Sequence, residues 1–211
     1  MKQTPHIKCM NSNTAQIVPL SKIASIVGGY PFRSAIEALP AGDVGVLQMA
    51  NVDPVSGVDS AKTIRVELPA ERKPTFLAPD DIVIAARGTN NYAVRITSLD
   101  GPFVCTSQFF LIRLLDPTKV EPRFLAWQLN QRPSQDYLKR EATGSYILNI
   151  RREVMDRLPI ALPPFDQQLA IAGLAETARS ERLALNKLIE NRTHLLGAIA
   201  VGLHSIERPT S

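Results

Sequence analysis

Three polar stretches of this 211-residue chain carry side chains suited to reading or gripping a nucleic-acid duplex. The first, Arg87-Gly88-Thr89-Asn90-Asn91, joins a guanidinium, a flexible glycine and two amides between apolar runs. A guanidinium can make a bidentate contact to guanine, and an amide can do so to adenine. Arg87, Asn90 and Asn91 are therefore candidate base-reading residues. The second stretch places Lys139, Arg140, Thr143, Ser145, Tyr146, Arg151 and Arg152 around one polar turn. Cations there suit phosphates, while hydroxyls can face base edges. Gly28, Gly29, Tyr30 and Arg33 form a third candidate loop, of which Tyr30 and Arg33 could touch DNA. Each stretch also has a plainer reading, as a solvated face or hairpin.

Catalytic patterns fare worse. His6, His194 and His204 have no ligand-like spacing with cysteines or carboxylates, so no metal site is expected. Leu162-Pro163-Pro164-Phe165 has the outline of an adenine-methyltransferase motif, but Leu162 cannot supply its polar side chain and no glycine-rich cofactor loop precedes it. Pro79-Asp80 follows Glu71-Arg72-Lys73, the reverse of the order a metal-dependent nuclease would need, and no phosphate-binding loop is present. The chain is expected to be non-catalytic and to need no cofactor. Its formal net charge of +4 favours polyanionic partners without demanding them.

Cys9 and Cys105 cannot build a secreted-type disulfide framework, and Cys105 sits in an apolar run that suits a core position. The start, MKQTPHIKCMNSN, lacks the apolar core of a signal peptide. The longest apolar run, 195–203, falls short of the roughly 18 residues a membrane span needs. A soluble, cytoplasmic protein is expected.

The elements that would position these residues follow from pattern. Residues 1–16 read as a frayed terminus. Ser21 could cap a short helix through Lys22, Ile23 and Ile26, ended by Gly28-Gly29. Residues 43–52 and 64–68 read as strands, with Asp53-Pro54 and Ser56-Gly57 as turns. IVIAAR, from Ile82, and Tyr92 to Ile96 form a hairpin around the Arg87 tip. Val104 to Leu115 reads as further strand. Pro122 suits a helix start, and one or two helices follow from Phe124, broken near Pro133. Thr143, Gly144 and Ser145 turn into alternating Tyr146, Leu148 and Ile150; a basic helical turn follows at Arg151-Arg152. The apolar run 158–162 then reaches Pro163-Pro164. Scattered strands with segregated helices make an α+β architecture.

From Asp166 to about His204 the pattern is one long helix. Ile171, Ala178, Leu185, Arg192 and Ile199 recur every seven residues, with Leu174, Glu181, Leu188, Leu195 and Gly202 three places on. Ile189, Leu196 and Leu203 widen the stripe. This is a coiled-coil-like face with polar breaks at Glu181 and Arg192. About 38 residues at 1.5 Å each span about 57 Å, longer than a small domain is wide. Ile171, Leu174, Leu185, Leu188, Leu195 and Ile199 are expected to pair two copies into a homodimer. The expected domains are a body at 1–164, a spacer and dimerisation helix at 165–205 and a tail at 206–211.

Thr143-Gly144 through Leu158-Pro159-Ile160-Ala161-Leu162-Pro163-Pro164 to Gln167-Gln168 resembles the end of a target recognition domain in the specificity subunits of type I restriction-modification enzymes. Gln167 stands where that family has Glu. Further likenesses are Tyr30-Pro31-Phe32, Asp80-Asp81-Ile82 through Arg87-Gly88 (with Asp80 where Gly is usual), Phe109-Phe110-Leu111-Ile112-Arg113 and the helix after Pro122. The resemblance covers about 17–203 and is most specific at 143–174. It implies a half-length specificity subunit with one recognition unit. Such a subunit would bind double-stranded DNA by sequence and direct a DNA methyltransferase subunit and, in some complexes, a restriction (translocase-nuclease) subunit. The alternative is a helix-mediated protein-interaction module with a recognition-like fold and no DNA role. The target bases depend on loop geometry and are not readable.

Overall fold

The computed structural model describes residues 15–39, 41–69, 73–88, 91–143 and 149–205. In chain order the strands are β1 (Gln16–Pro19), β2 (Ala24–Gly28), β3 (Val44–Leu47), β4 (Val52–Asp53), β5 (Gly57–Val58), β6 (Ile64–Val66), β7 (Ile82–Ala85), β8 (Ala93–Arg95), β9 (Phe103–Cys105), β10 (Phe109–Leu114) and β11 (Pro159–Leu162). The helices are α1 (Pro122–Leu129), α2 (Arg132–Glu141), α3 (Arg152–Arg157) and α4 (Phe165–Ser205). A four-stranded antiparallel sheet has the order β2-β10-β7-β8, and a three-stranded sheet the order β6-β3-β9. The pairs β1-β11 and β4-β5 complete the pairing. This is the expected α+β class.

Period-two burial explains the layering. Along β7, Ile82 and Ile84 join one core while Val83 and Ala85 join another. Successive side chains of a strand face opposite ways, so an unbroken apolar run marks a sheet covered on both faces. One face packs Leu125 and Leu129 of α1, Leu138 of α2 and Met155 of α3. The other packs Leu47, Phe103 and Cys105 of the small sheet. Burial pushes the Cys105 thiol up to about 12; it is an inert core group, as expected. Val44, Val46, Val66 and Val104 form a third cluster, with Tyr30, Phe32 and Ile36 packed against it.

Several expected boundaries move. The helix expected from Ser21 is instead a 3-10 turn, Leu20–Lys22, followed by β2. Ala24 and Ile26 are buried while Ser25 between them is exposed, a strand alternation locked by pairing with β10. The 43–52 strand breaks at a 3-10 turn, Met49–Asn51. The 104–115 strand is two strands in two sheets, split at Thr106–Gln108. Residues 1–14 of the expected frayed terminus lie outside the described residues, and Gln16 already pairs in β1.

The chain divides into units 1–172 and 173–211. The expected boundary at 164 therefore shifts: α4 begins at Phe165, but its first two turns belong to the body. Gln168 shows why. It is buried, its side-chain oxygen accepts the Glu121 N–H at 3.0 Å, and its amide donates to the carbonyls of Lys119 and Pro163 at 3.2 and 2.9 Å. Every amide hydrogen and one lone pair of this buried group are thereby satisfied. Ala172 is buried one turn later.

The end of the large sheet that carries Ile82, Arg95 and Leu114 is closed by charge. Asp81, 2% exposed, takes Nε and Nη2 of Arg113 at 2.7 and 2.6 Å and the Ala78 N–H at 2.7 Å. Hydrogen bonding to this carboxylate raises the pKa of Arg113. Asp80 adopts φ +67°, the left-handed region glycine favours, and its carboxylate pairs with Arg95 at 2.7 Å. The Asp81→Ala variant strands the Ala78 N–H and the arginine together. Because Arg113 keeps access to water, the expected loss is about 2–3 kcal/mol, below that of a fully buried pair. A urea unfolding midpoint checks it.

Candidate nucleic-acid interface

The opposite end of the large sheet gathers the polar loops. Antiparallel register sets Phe110 beside Gly28, Phe109 beside Ala85 and Ile84 beside Ala93. Gly28 at the end of β2, the Thr106–Gln108 turn before β10 and the Arg87 hairpin between β7 and β8 therefore share one rim. Gly29 fits there because a Cβ would meet the Thr106 carbonyl oxygen at 2.0 Å. The close approach carries a parallel bridge between Tyr30 and Thr106.

The second polar stretch joins the same rim. Asn149 bridges both Arg87 and Thr143, with Thr143 N–H to Asn149 O at 3.1 Å and Asn149 N–H to Thr143 O at 2.9 Å. Ile150 N–H donates to Ala86 O at 2.9 Å, and the Ile150 side chain is buried. Arg151 caps α3, and Lys139 and Arg140 occupy the last turn of α2. Backbone bonds thus bring Arg87, Thr143, Arg151 and Arg152 together from segments some sixty residues apart in sequence.

Availability differs among these residues. Arg140 pairs with Glu141 at 3.3 Å and lies over the Tyr137 ring, and Arg152 pairs with Asp156 at 3.7 Å. Arg33, Arg87, Lys139 and Arg151 are exposed and form no ion pair with a described residue. Tyr30 is half-buried and meets Phe32 edge-on, with ring centroids 4.9 Å apart. Asn90, Ser145 and Tyr146 lie outside the described residues.

Asn91 is corrected. It is 0% exposed and its amide donates to Ala85 O at 2.9 Å, so it braces the hairpin and does not present itself to a ligand. The helical elbow secures the same hairpin. Asn130 accepts from Ala93 N–H at 2.9 Å and donates to Ala93 O at 2.7 Å, while Gln135 donates to Asn91 O at 2.8 Å. An amide side chain here occupies the edge of β8 as a further strand would. Sequence patterning missed Asn130, Gln135, Asn149 and the Thr106–Gln108 turn, since each acts through partners distant in the chain.

Among the described residues no group of three or more His, Cys, Asp or Glu could hold a metal. No helix among them is long and apolar enough to cross a membrane. On α4, Leu174, Leu185, Leu188, Leu195 and Ile199 are exposed, by 74, 59, 47, 61 and 51% respectively. Ile171 is half-buried.

No protein-family model matches the sequence, and no curated protein does. Solved structures do match. The S subunit of a type I restriction-modification system from M. genitalium aligns over 98% of this chain and 50% of its own, with TM-score 0.63 and 21% identity. The HsdS subunit from Thermoanaerobacter tengcongensis aligns over 87% of this chain and 42% of its own, with TM-score 0.60 and 17% identity. A chain from a study of assembly and conformational transition in the type I restriction-modification system gives TM-score 0.60 at 15% identity, over 92% of this chain and 46% of that one. This chain spans about half the length of the structures it matches. Its fold is that of type I restriction-modification S subunits.

Proposed function

We propose that the chain is a DNA-recognition subunit: it binds duplex DNA by sequence and directs a partner DNA methyltransferase to that target. The single observation that carries this reading is the shared rim. Segments that carry the exposed cations Arg87, Lys139 and Arg151 and the half-buried Tyr30 meet at one sheet end, and backbone bonds hold them there. A rigid base with exposed polar tips is what sequence reading requires, because phosphate contacts set register and base-edge contacts then discriminate. The fold shared with S subunits supports the same reading. The chain contributes recognition and positioning, and no cofactor enters its role.

The exposed stripe on α4 supports a second element, pairing of two copies through 166–203. The same stripe is what a protein-interaction module without a DNA role would carry. Selection of bound sequences from a random duplex pool, with and without the methyltransferase, separates the two. A recognition subunit should enrich a defined motif and confer methylation of it only when the methyltransferase is added. Methyl transfer by the pure chain, or no enrichment in either arm, overturns the proposal.

A further inference from the structure

We propose that Gln108 is a base-reading, specificity-determining residue set between the Tyr30 and Arg87 loops; this rests on the DNA-recognition reading above. Its place follows from topology. The strand β10 lies between β2 and β7, so the turn leading into it stands in the middle of the rim. Its neighbours are fixed on both sides by the register of Phe110 with Gly28 and Phe109 with Ala85.

The turn is preorganised. Thr106 N–H donates to Leu47 O at 3.1 Å, Phe109 N–H to Thr106 O at 3.0 Å, and Ala86 N–H to Gln108 O at 2.7 Å. Thr106 and Phe109 are buried on either side of it, whereas Ser107 and Gln108 are exposed. Through the Ala86 bond, Gln108 is anchored one residue from Arg87. The Gln108 amide forms no hydrogen bond with a described residue, so its donor and acceptor are both open to a ligand. Donor and acceptor in one planar group match N7 and N6 of adenine in the major groove, while the neighbouring guanidinium matches guanine. A rigid backbone under an uncommitted amide gives up little freedom on contact.

The test is selection from a random duplex pool with the full chain and with Gln108→Ala, Gln108→Glu and Gln108→Asn, each first shown to keep the wild-type melting curve. Gln108→Ala should cut the preference for an A·T pair at one position by roughly 5- to 150-fold, with the other positions and the salt dependence unchanged. Gln108→Glu should move that position toward a pair containing cytosine, whose N4 amine can donate to a carboxylate. Wild-type enrichment of a motif that all three variants reproduce at every position would overturn this assignment alone. Failure of the wild-type chain to enrich any motif would overturn it together with the recognition reading.

Discussion

Binding of one recognition body of this chain to its share of the duplex target should weaken about 150-fold between roughly 50 and 200 mM salt. The figure follows from counterion release, which gives a slope of about −0.9 per phosphate-contacting cation in a double-logarithmic plot. Arg33, Arg87, Lys139 and Arg151 are exposed cations of the three polar stretches and have no acidic partner among the described residues. Four contacts give a slope near −3.6 for one recognition body. Arg140 and Arg152 add less while they stay with Glu141 and Asp156, although exposed pairs of that kind are worth only about 0–1 kcal/mol and can exchange for phosphate. Lys139→Ala and Arg151→Ala should each flatten the slope by about 0.9 per recognition body and weaken all sequences alike. Arg87→Ala should also relax one base position, at a cost of about 1–3 kcal/mol. Fluorescence anisotropy titrations at several salt concentrations provide the measurement. Unchanged slopes in both the Lys139 and Arg151 variants would remove these residues from the interface.

Local pattern and long-range pairing divide what could be read from the chain alone. IVIAAR and the hairpin it begins were legible because an apolar run bounded by Arg-Gly has few other solutions. The junction at Leu162-Pro163-Pro164 was legible for the same kind of reason: proline ends the strand and suits the start of α4. The residues after Ser21 misled because a short alternating run with a lysine and two glycines satisfies a capped helix as well as a strand. Only the partner β10 decides between them. Thr106-Ser107-Gln108 hid inside an apolar stretch, and its break follows from β9 and β10 joining different sheets. Asn91 shows the limit at the site itself. An amide in a polar tip looks like a ligand contact, but position within the hairpin turned it inward to the Ala85 carbonyl. The rim as a whole depends on the bridges at Asn149, which no local spacing encodes. The resemblance noted in the sequence pointed to the fold that the solved structures share.

Leu185→Glu combined with Leu188→Glu should turn a dimer into monomers without unfolding the body. Leu174, Leu185, Leu188, Leu195 and Ile199 recur at heptad spacing on α4 and are all exposed, and contiguous apolar stripes of this kind mark interfaces. Full burial of a leucine side chain stabilises by about 1.5–3 kcal/mol. Two leucines on each of two chains therefore account for roughly 6–12 kcal/mol of pairing, comparable to the 8.2 kcal/mol of a dimer with a Kd near 1 µM. Glutamates in the seam would lose that contribution and add like-charge repulsion. Folding of the body is insulated from the change, because its cores lie in residues up to 172 and none of the described side chains of 173–203 belongs to them. Ile171, half-buried at the root of α4, is a poorer site for the experiment, since changing it would disturb the body as well. Light scattering should give twice the 23.2 kDa chain mass for the wild type and the single mass for the variant, with the same far-ultraviolet melting transition for the body. Closed two-fold pairing makes the two recognition bodies identical. The wild-type motif should then be an inverted repeat, and the monomeric variant should bind one half of it with a salt slope about half as steep. A wild-type chain that scatters as a monomer, or a selected motif with no inverted repeat, would eliminate pairing through this helix while leaving the recognition rim to stand on its own.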